Sequence, residues 1–171
     1  MITEINTGIT SQTNKRIINE LYSSNNWEFG NDNEANKHLH KKDAGFLLRT
    51  FNRNTQNNIN EILNTYAQVI FDMVQKNMSM KFKDIKRIYW NWYHSTSLME
   101  YHIDSNYDNL YSIIYNLHDN DGGTEFKLND EIIFYKSVES KAIIFPSKIS
   151  HRGVAPKKDL NRFSLNIITD I

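Results

Sequence analysis

The residues best suited to chemistry are His102, Asp104 and His151. The first two stand in Tyr101-His102-Ile103-Asp104. In an extended segment alternate side chains share a face, so His102 and Asp104 project together while Tyr101 and Ile103 turn away. His151, far along the chain, can supply a third ligand. Two neutral imidazoles and one carboxylate on one side of an ion form the set that holds Fe(II) and leaves coordination positions open.

A second set lies near the end, in Arg162-Phe163-Ser164-Leu165-Asn166-Ile167. Alternation places Phe163, Leu165 and Ile167 on one face and Arg162, Ser164 and Asn166 on the other. If the polar face looks inward, a buried guanidinium needs an anion, and a carboxylate fits its planar fork best.

Something must hold these residues together. The chain has 171 residues, which suits a single domain, 1–171, with a sizeable core. Its 20 basic and 20 acidic residues cancel, so no net field draws it to nucleic acid or an anionic membrane. It has no Cys, which excludes disulfides, thiolate metal sites and a Cys nucleophile. Met1 to Arg16 is polar and offers no signal peptide or spanning segment, so a soluble, cytoplasmic protein is expected.

Residues 1–84 read as a helical and loop support region. A short helix is expected over 14–22, with Ile17, Ile18 and Leu21 on one side. Residues 31–45 read as polar and irregular, and the segment 30–53 is expected to be mobile near the mouth of a cleft. Its His38-Leu39-His40 is flanked by Lys37, Lys41 and Lys42 and is taken as solvated, not as a metal pair. The clearest helix is 54–77, capped by Asn54 or Thr55, with a stripe of Ile59, Ile62, Leu63, Tyr66, Ile70, Met73 and Val74. That stripe is core, and the helix is expected on the outer face of a sheet.

From residue 85 the pattern alternates. Strands are expected at 85–93, 98–104, 111–118, 123–127, 131–136, 141–146, 149–154 and 161–169. The fold class is therefore mainly β with N-terminal helices. Its core, 85–171, is a jelly roll, or double-stranded β-helix of cupin-like type, backed by α-helices.

Further motifs join the two sets. Tyr93 stands nine positions ahead of His102; Ser112-Ile113-Ile114-Tyr115-Asn116-Leu117 runs to Gly122-Gly123-Thr124-Glu125-Phe126. Ala142-Ile143-Ile144-Phe145-Pro146 leads to His151-Arg152-Gly153, and Arg162 with Ser164 forms R-x-S. In this order and spacing, residues 89 to 169 resemble the Fe(II)- and 2-oxoglutarate-dependent dioxygenases, in particular their small prolyl-4-hydroxylase-like branch. Two departures concern loops. The family often has Gly-Gly-Glu-Thr where this chain has Gly122-Gly123-Thr124-Glu125, and Ser95 to Ser97 lacks the glycine usual after the tyrosine.

The resemblance implies that His102, Asp104 and His151 bind Fe(II) and that Arg162, with Ser164, takes the 5-carboxylate of 2-oxoglutarate. Tyr93 and Tyr115 are candidate hydrogen-bond donors to that carboxylate, and Asn91, on the strand face of Tyr93, is a weaker one. Arg152 is the rival anion partner, but it must face away from the side His151 faces. His94 and His118 are read as non-ligands. The implied reaction uses dioxygen, hydroxylates a protein or peptide side chain or a small molecule, and releases succinate and CO2, with ascorbate as a candidate reductant. Substrate and oligomeric state stay open. The competing readings are a cupin-type metal enzyme without 2-oxoglutarate and a non-catalytic β-sandwich binding module.

Overall fold

Alternation after residue 84 makes strands the main element, and in the computed structural model they form two sheets. Residues 1–29, 45–54, 57, 58 and 60–171 are described. The elements run β1 (Thr3–Asn6), α1 (Ser11–Ser23), β2 (Glu28–Phe29), β3 (Phe46–Asn52), β4 (Asn57–Asn58), α2 (Glu61–Asn77), β5 (Ile85–His94), β6 (Leu110–Asn116), β7 (Gly123–Leu128), β8 (Glu131–Lys136), β9 (Lys141–Pro146), β10 (Ser150–Val154) and β11 (Asn161–Asp170).

The major sheet has the order β1-β9-β6-β11-β5-β3-β2, with β4 paired to β3. The minor sheet has the order β10-β7-β8. Both helices lie on the outer face of the major sheet, and Ile17, Leu21, Leu63, Ala67, Ile70 and Val74 share one core with Trp90, Tyr115, Leu165 and Ile167. Ile114, Phe126, Ile143 and Phe145 fill a smaller core between the sheets. The result is a mainly β, jelly-roll architecture backed by helices, as the alternating pattern implies. Among the described residues no helix is long and apolar enough to cross a membrane.

The helices start where their caps are. Thr10 accepts a hydrogen bond from the Thr13 amide at 3.3 Å, so α1 begins at Ser11 rather than Asn14. Asn60 accepts from the Leu63 amide at 2.9 Å, so α2 begins at Glu61 rather than Asn54. The expected cap Thr55 and stripe residue Ile59 fall outside the described residues, as does the pair His38 and His40. The buried face of α2 is Leu63, Ala67, Ile70, Phe71 and Val74, whereas Ile62 is 56% exposed.

Two stretches depart from the sequence reading. Residues 46–52 are not part of a loose loop: they form β3, paired with β5, and Leu47, Leu48 and Thr50 are buried. The apolar run Phe46-Leu47-Leu48 inside polar surroundings is the signal for that strand. Conversely, 98–104 is not a strand. It makes one bridge, His102 to His151, with both backbone bonds at 2.9 Å. The chain then turns, and the amides of Asp104 and Ser105 both donate to the Ser147 carbonyl, at 2.9 and 3.2 Å. Strands β1, β2 and β4 were not foreseen.

Candidate metal and anion site

The site sits between the sheets, on the face of β5 and β11 that the helices do not cover. Parity places it there. On β11, Phe163, Leu165 and Ile167 join the helix-side core, so Arg162, Ser164 and Asn166 must face the minor sheet. The register sets Arg162 beside Tyr93, Ser164 beside Asn91 and Asn166 beside Tyr89. These six residues, with His102, Asp104 and His151, line one cavity, joined by Ile114, Thr124 and Gly153.

The three candidate ligands converge although 98–104 is not a regular strand. His102 Nε2 lies 3.8 Å from Asp104 Oδ1, and His151 Nε2 lies 3.6 Å from Asp104 Oδ2. One ligand atom from each residue falls within 4.8 Å of the others. Their side chains are only 7%, 5% and 2% exposed, while Ile103 between them is turned to solvent. Each imidazole is oriented by the backbone two residues before it: His102 Nδ1 meets the Glu100 carbonyl at 3.1 Å and His151 Nδ1 the Ile149 carbonyl at 2.9 Å. A proton on Nδ1 satisfies those carbonyls and leaves both Nε2 lone pairs directed at Asp104.

Asp104 is held as firmly. The Ser112 hydroxyl donates to its Oδ2 at 2.5 Å and also contacts the Ser147 hydroxyl at 2.9 Å. Asn166 Nδ2 reaches the same oxygen at 3.4 Å, and Arg87 donates to the Asp104 backbone carbonyl at 2.9 Å. Burial by itself raises the Asp104 carboxyl. His151, then His102, Ser112 and Arg87 outweigh it and hold the group below the usual carboxylate range. Burial pushes His151 down, only partly offset by Asp104, so its imidazole favours the neutral, ligating form. Phe145 and Phe126 pack on the His151 ring, with centroids 4.7 and 5.9 Å away.

Arg162 is the other half of the site. It is 1% exposed, and among the described residues no carboxylate touches it. One nitrogen, NH2, donates to Thr124 Oγ1 at 3.2 Å and to Asn116 Oδ1 at 3.4 Å, while Nε and NH1 are buried without a partner. The Tyr93 ring lies 5.2 Å from its guanidinium carbon, close enough for a cation–π contact. Burial pulls the Arg162 pKa down to about 10, so the group is still a cation at neutral pH. A buried cation that lines a cavity and has two nitrogens without a partner among the described residues has the chemistry to take an anion.

Tyr93 and Asn91 line that cavity. Gly153 makes room for Tyr93: a Cβ there would lie 2.9 Å from the ring. Tyr115 does not line it. Its parity on β6 is that of Ile113, so it enters the helix-side core, where its hydroxyl donates to Asn14 Oδ1 at 2.7 Å. The residue of β6 that reaches Arg162 is its neighbour Asn116. Arg152 points away from His151, donates to Glu125 at 2.7 Å and stacks on Tyr101. His94 packs against Phe46 and Trp92, and His118 accepts from the Phe163 amide at 3.2 Å. Neither is near the cluster. Sequence reasoning missed Ser112, Asn116, Thr124 and Tyr89. Ser112, Asn116 and Tyr89 share strand parity with a cavity residue, which was the available signal, whereas Thr124 was visible only as the transposed Thr-Glu pair.

No protein-family model matches the chain, and no curated protein matches it in sequence. Solved structures do match in fold. A 2OG-Fe(II) oxygenase family oxidoreductase from Burkholderia pseudomallei superposes with a TM-score of 0.73 at 13% identity, over 99% of this chain and 84% of that one. A prolyl hydroxylase from Trichoplax adhaerens, in complex with a hypoxia inducible factor peptide fragment, gives 0.71 at 12%, over 99% and 83%. The non-heme alpha ketoglutarate dependent epimerase SnoN from nogalamycin biosynthesis gives 0.70 at 10%, over 98% and 76%. The chain thus has the fold of the 2-oxoglutarate and Fe(II) oxygenases, with a His-Asp-His cluster between its two sheets.

Proposed function

We propose that this chain is a non-haem Fe(II)- and 2-oxoglutarate-dependent dioxygenase that hydroxylates a peptide side chain or a small molecule. The observation that carries the reading is Arg162: a buried cation without an acidic partner among the described residues, lining the same cavity as two imidazoles and a carboxylate. His102, Asp104 and His151 would hold the iron, and Arg162 with Ser164 would take the far carboxylate of 2-oxoglutarate. When bound, iron and 2-oxoglutarate supply oxidative activation of dioxygen, with succinate and CO2 as co-products.

The chain's own residues do the positioning. The Glu100 and Ile149 carbonyls set the imidazole tautomers, and Ser112 and Asn166 fix the Asp104 carboxylate. Phe126 and Phe145 shield His151 from water. Tyr93 and Asn91 line the cavity beside Arg162 and Ser164 and remain candidate donors to the bound anion. A metal centre with no anionic cosubstrate would leave Arg162 unneutralised, and a plain binding module gives no reason for the convergence of all four residues.

The test is calorimetric titration of 2-oxoglutarate into the Mn-loaded protein under argon, with succinate release measured on the Fe-loaded protein. Losing a buried charge partner costs about 2–5 kcal/mol, so Arg162→Ala should raise the 2-oxoglutarate Kd about 30-fold or more. Arg152→Ala should do little, since that guanidinium is held by Glu125. A parent protein that binds metal but neither 2-oxoglutarate nor releases succinate ends the reading.

A further inference from the structure

The minor sheet has an open edge. β10 is bridged at His151 by His102 on one side, but β8, at the other end of the order β10-β7-β8, has no strand beyond it among the described residues. Its sequence is Glu131-Ile132-Ile133-Phe134-Tyr135-Lys136, four apolar residues between two charges. Ile132, Ile133 and Phe134 are 59%, 36% and 47% exposed. A soluble chain usually blunts such an edge with a central charge, a proline or a bulge, and β8 has none of these within it.

Parity shows which groups are free. The Ser137 amide donates to the Gly122 carbonyl, and in an antiparallel ladder such bonded pairs recur at every second residue. The odd-numbered residues of β8 therefore carry the ladder to β7. Ile132, Phe134 and Lys136 turn their N–H and C=O groups outward, and among the described residues no backbone bond answers them. The odd side chains face inward, with Tyr135 edge-on to Phe126 at 5.5 Å, and the even ones cover the outer face of the sheet.

We propose that β8 pairs with β8 of a second copy, antiparallel about a two-fold axis at Ile133, joining two minor sheets into one. The occupant is set by self-complementarity. With Ile133 opposite its own copy, Ile132 meets the partner's Phe134, and Asp130, the turn residue just before β8, comes across from the partner's Lys136, once at each end. Asp130 and Lys136 have no ion-pair partner among the described residues, and this register pairs both. Shifting the axis to Phe134 sets Lys136 against the partner's Ile132 and loses both ion pairs. The odd-residue parity of the ladder forbids the registers between. The edge lies on the sheet that carries His151, but no residue of β8 lines the cavity, so the pairing stands apart from the reaction proposed above.

A strand-sized interface sits below the usual range for stable complexes, so the expected Kd is on the order of 10 µM. Sedimentation velocity over about 1 to about 300 µM brackets that value and should show a monomer passing to a dimer. Ile132→Lys with Phe134→Lys should leave a monomer throughout, with an unchanged Tm. Asp130→Lys alone and Lys136→Asp alone should each weaken the dimer about fivefold, like charges being set opposite one another, and the double swap should restore it. A parent that stays monomeric, a double-lysine variant that still dimerises, or a charge swap without recovery overturns the proposal.

Discussion

The two faces of β5 and β11 are built from alternating residues of the same strands, yet they do opposite work. The helix-side face carries Trp90, Phe163, Leu165 and Ile167 and is closed by α1 and α2. The cavity face carries Tyr89, Asn91, Tyr93, Arg162, Ser164 and Asn166. The helix-side face is not free of orphans, since Trp90 Nε1 is buried without a partner. The cavity face has a neutral orphan too, Asn166 Oδ1, and what distinguishes it is that Arg162, a charged group with two unpartnered nitrogens among the described residues, lines the cavity. A neutral buried donor is a modest loss; a buried cation must be neutralised by something that arrives. One face therefore holds stability and the other spends it on a binding site.

Substitutions on each face can break that division. The largest effect should come from His151→Ala, which should weaken metal binding by more than about 100-fold, beyond what losing a supporting residue does. Leu165→Ala, on the opposite face of β11, should cost about 2–5 kcal/mol of stability and leave metal affinity intact. Mn titration and thermal melts on both variants decide this; if the leucine variant loses metal as well, the faces are coupled.

Arg162→Met sharpens the comparison from the opposite direction. Removing an unneutralised buried charge while keeping the volume should stabilise the protein free of 2-oxoglutarate by about 1–2 kcal/mol, seen as a higher Tm. A lower Tm would mean that the contacts with Tyr93 and Thr124 already compensate the charge.

Ser112→Ala tests the support of Asp104. It should weaken Mn binding about 10-fold. Ser112→Thr, which keeps the hydroxyl, should recover part of that. Loss of stability with no change in metal affinity would make Ser112 a packing residue only.

The smallest effect should be Tyr115→Phe. Its hydroxyl ties β6 to Asn14 of α1, so its loss should cost about 1 kcal/mol. The 2-oxoglutarate Kd should stay within about twofold, because Tyr115 does not line the cavity. A much weaker Kd would place Tyr115 back in the site.

Local pattern was enough for the strands from 85 onward, apart from 98–104, and for the shared facing of Arg162, Ser164 and Asn166, because a strand's period is two and side-chain polarity reports it directly. The spacing of His102 and Asp104 likewise brings both side chains to the site from an irregular segment, since bonded anchor points at His151 and Ser147 fix the backbone of each. Three things needed the tertiary structure. Strand β3 sits in a polar stretch and forms only because β5 offers it an edge. Tyr115 and Asn116 are neighbours, and nothing local says which one faces Arg162; pairing of β6 with β11 and packing of α1 on the far side decide it. The missing counter-charge of Arg162 is the third. A sequence with 20 acidic residues leaves many partners open, and only the packed interior shows that, among the described residues, no carboxylate reaches that guanidinium.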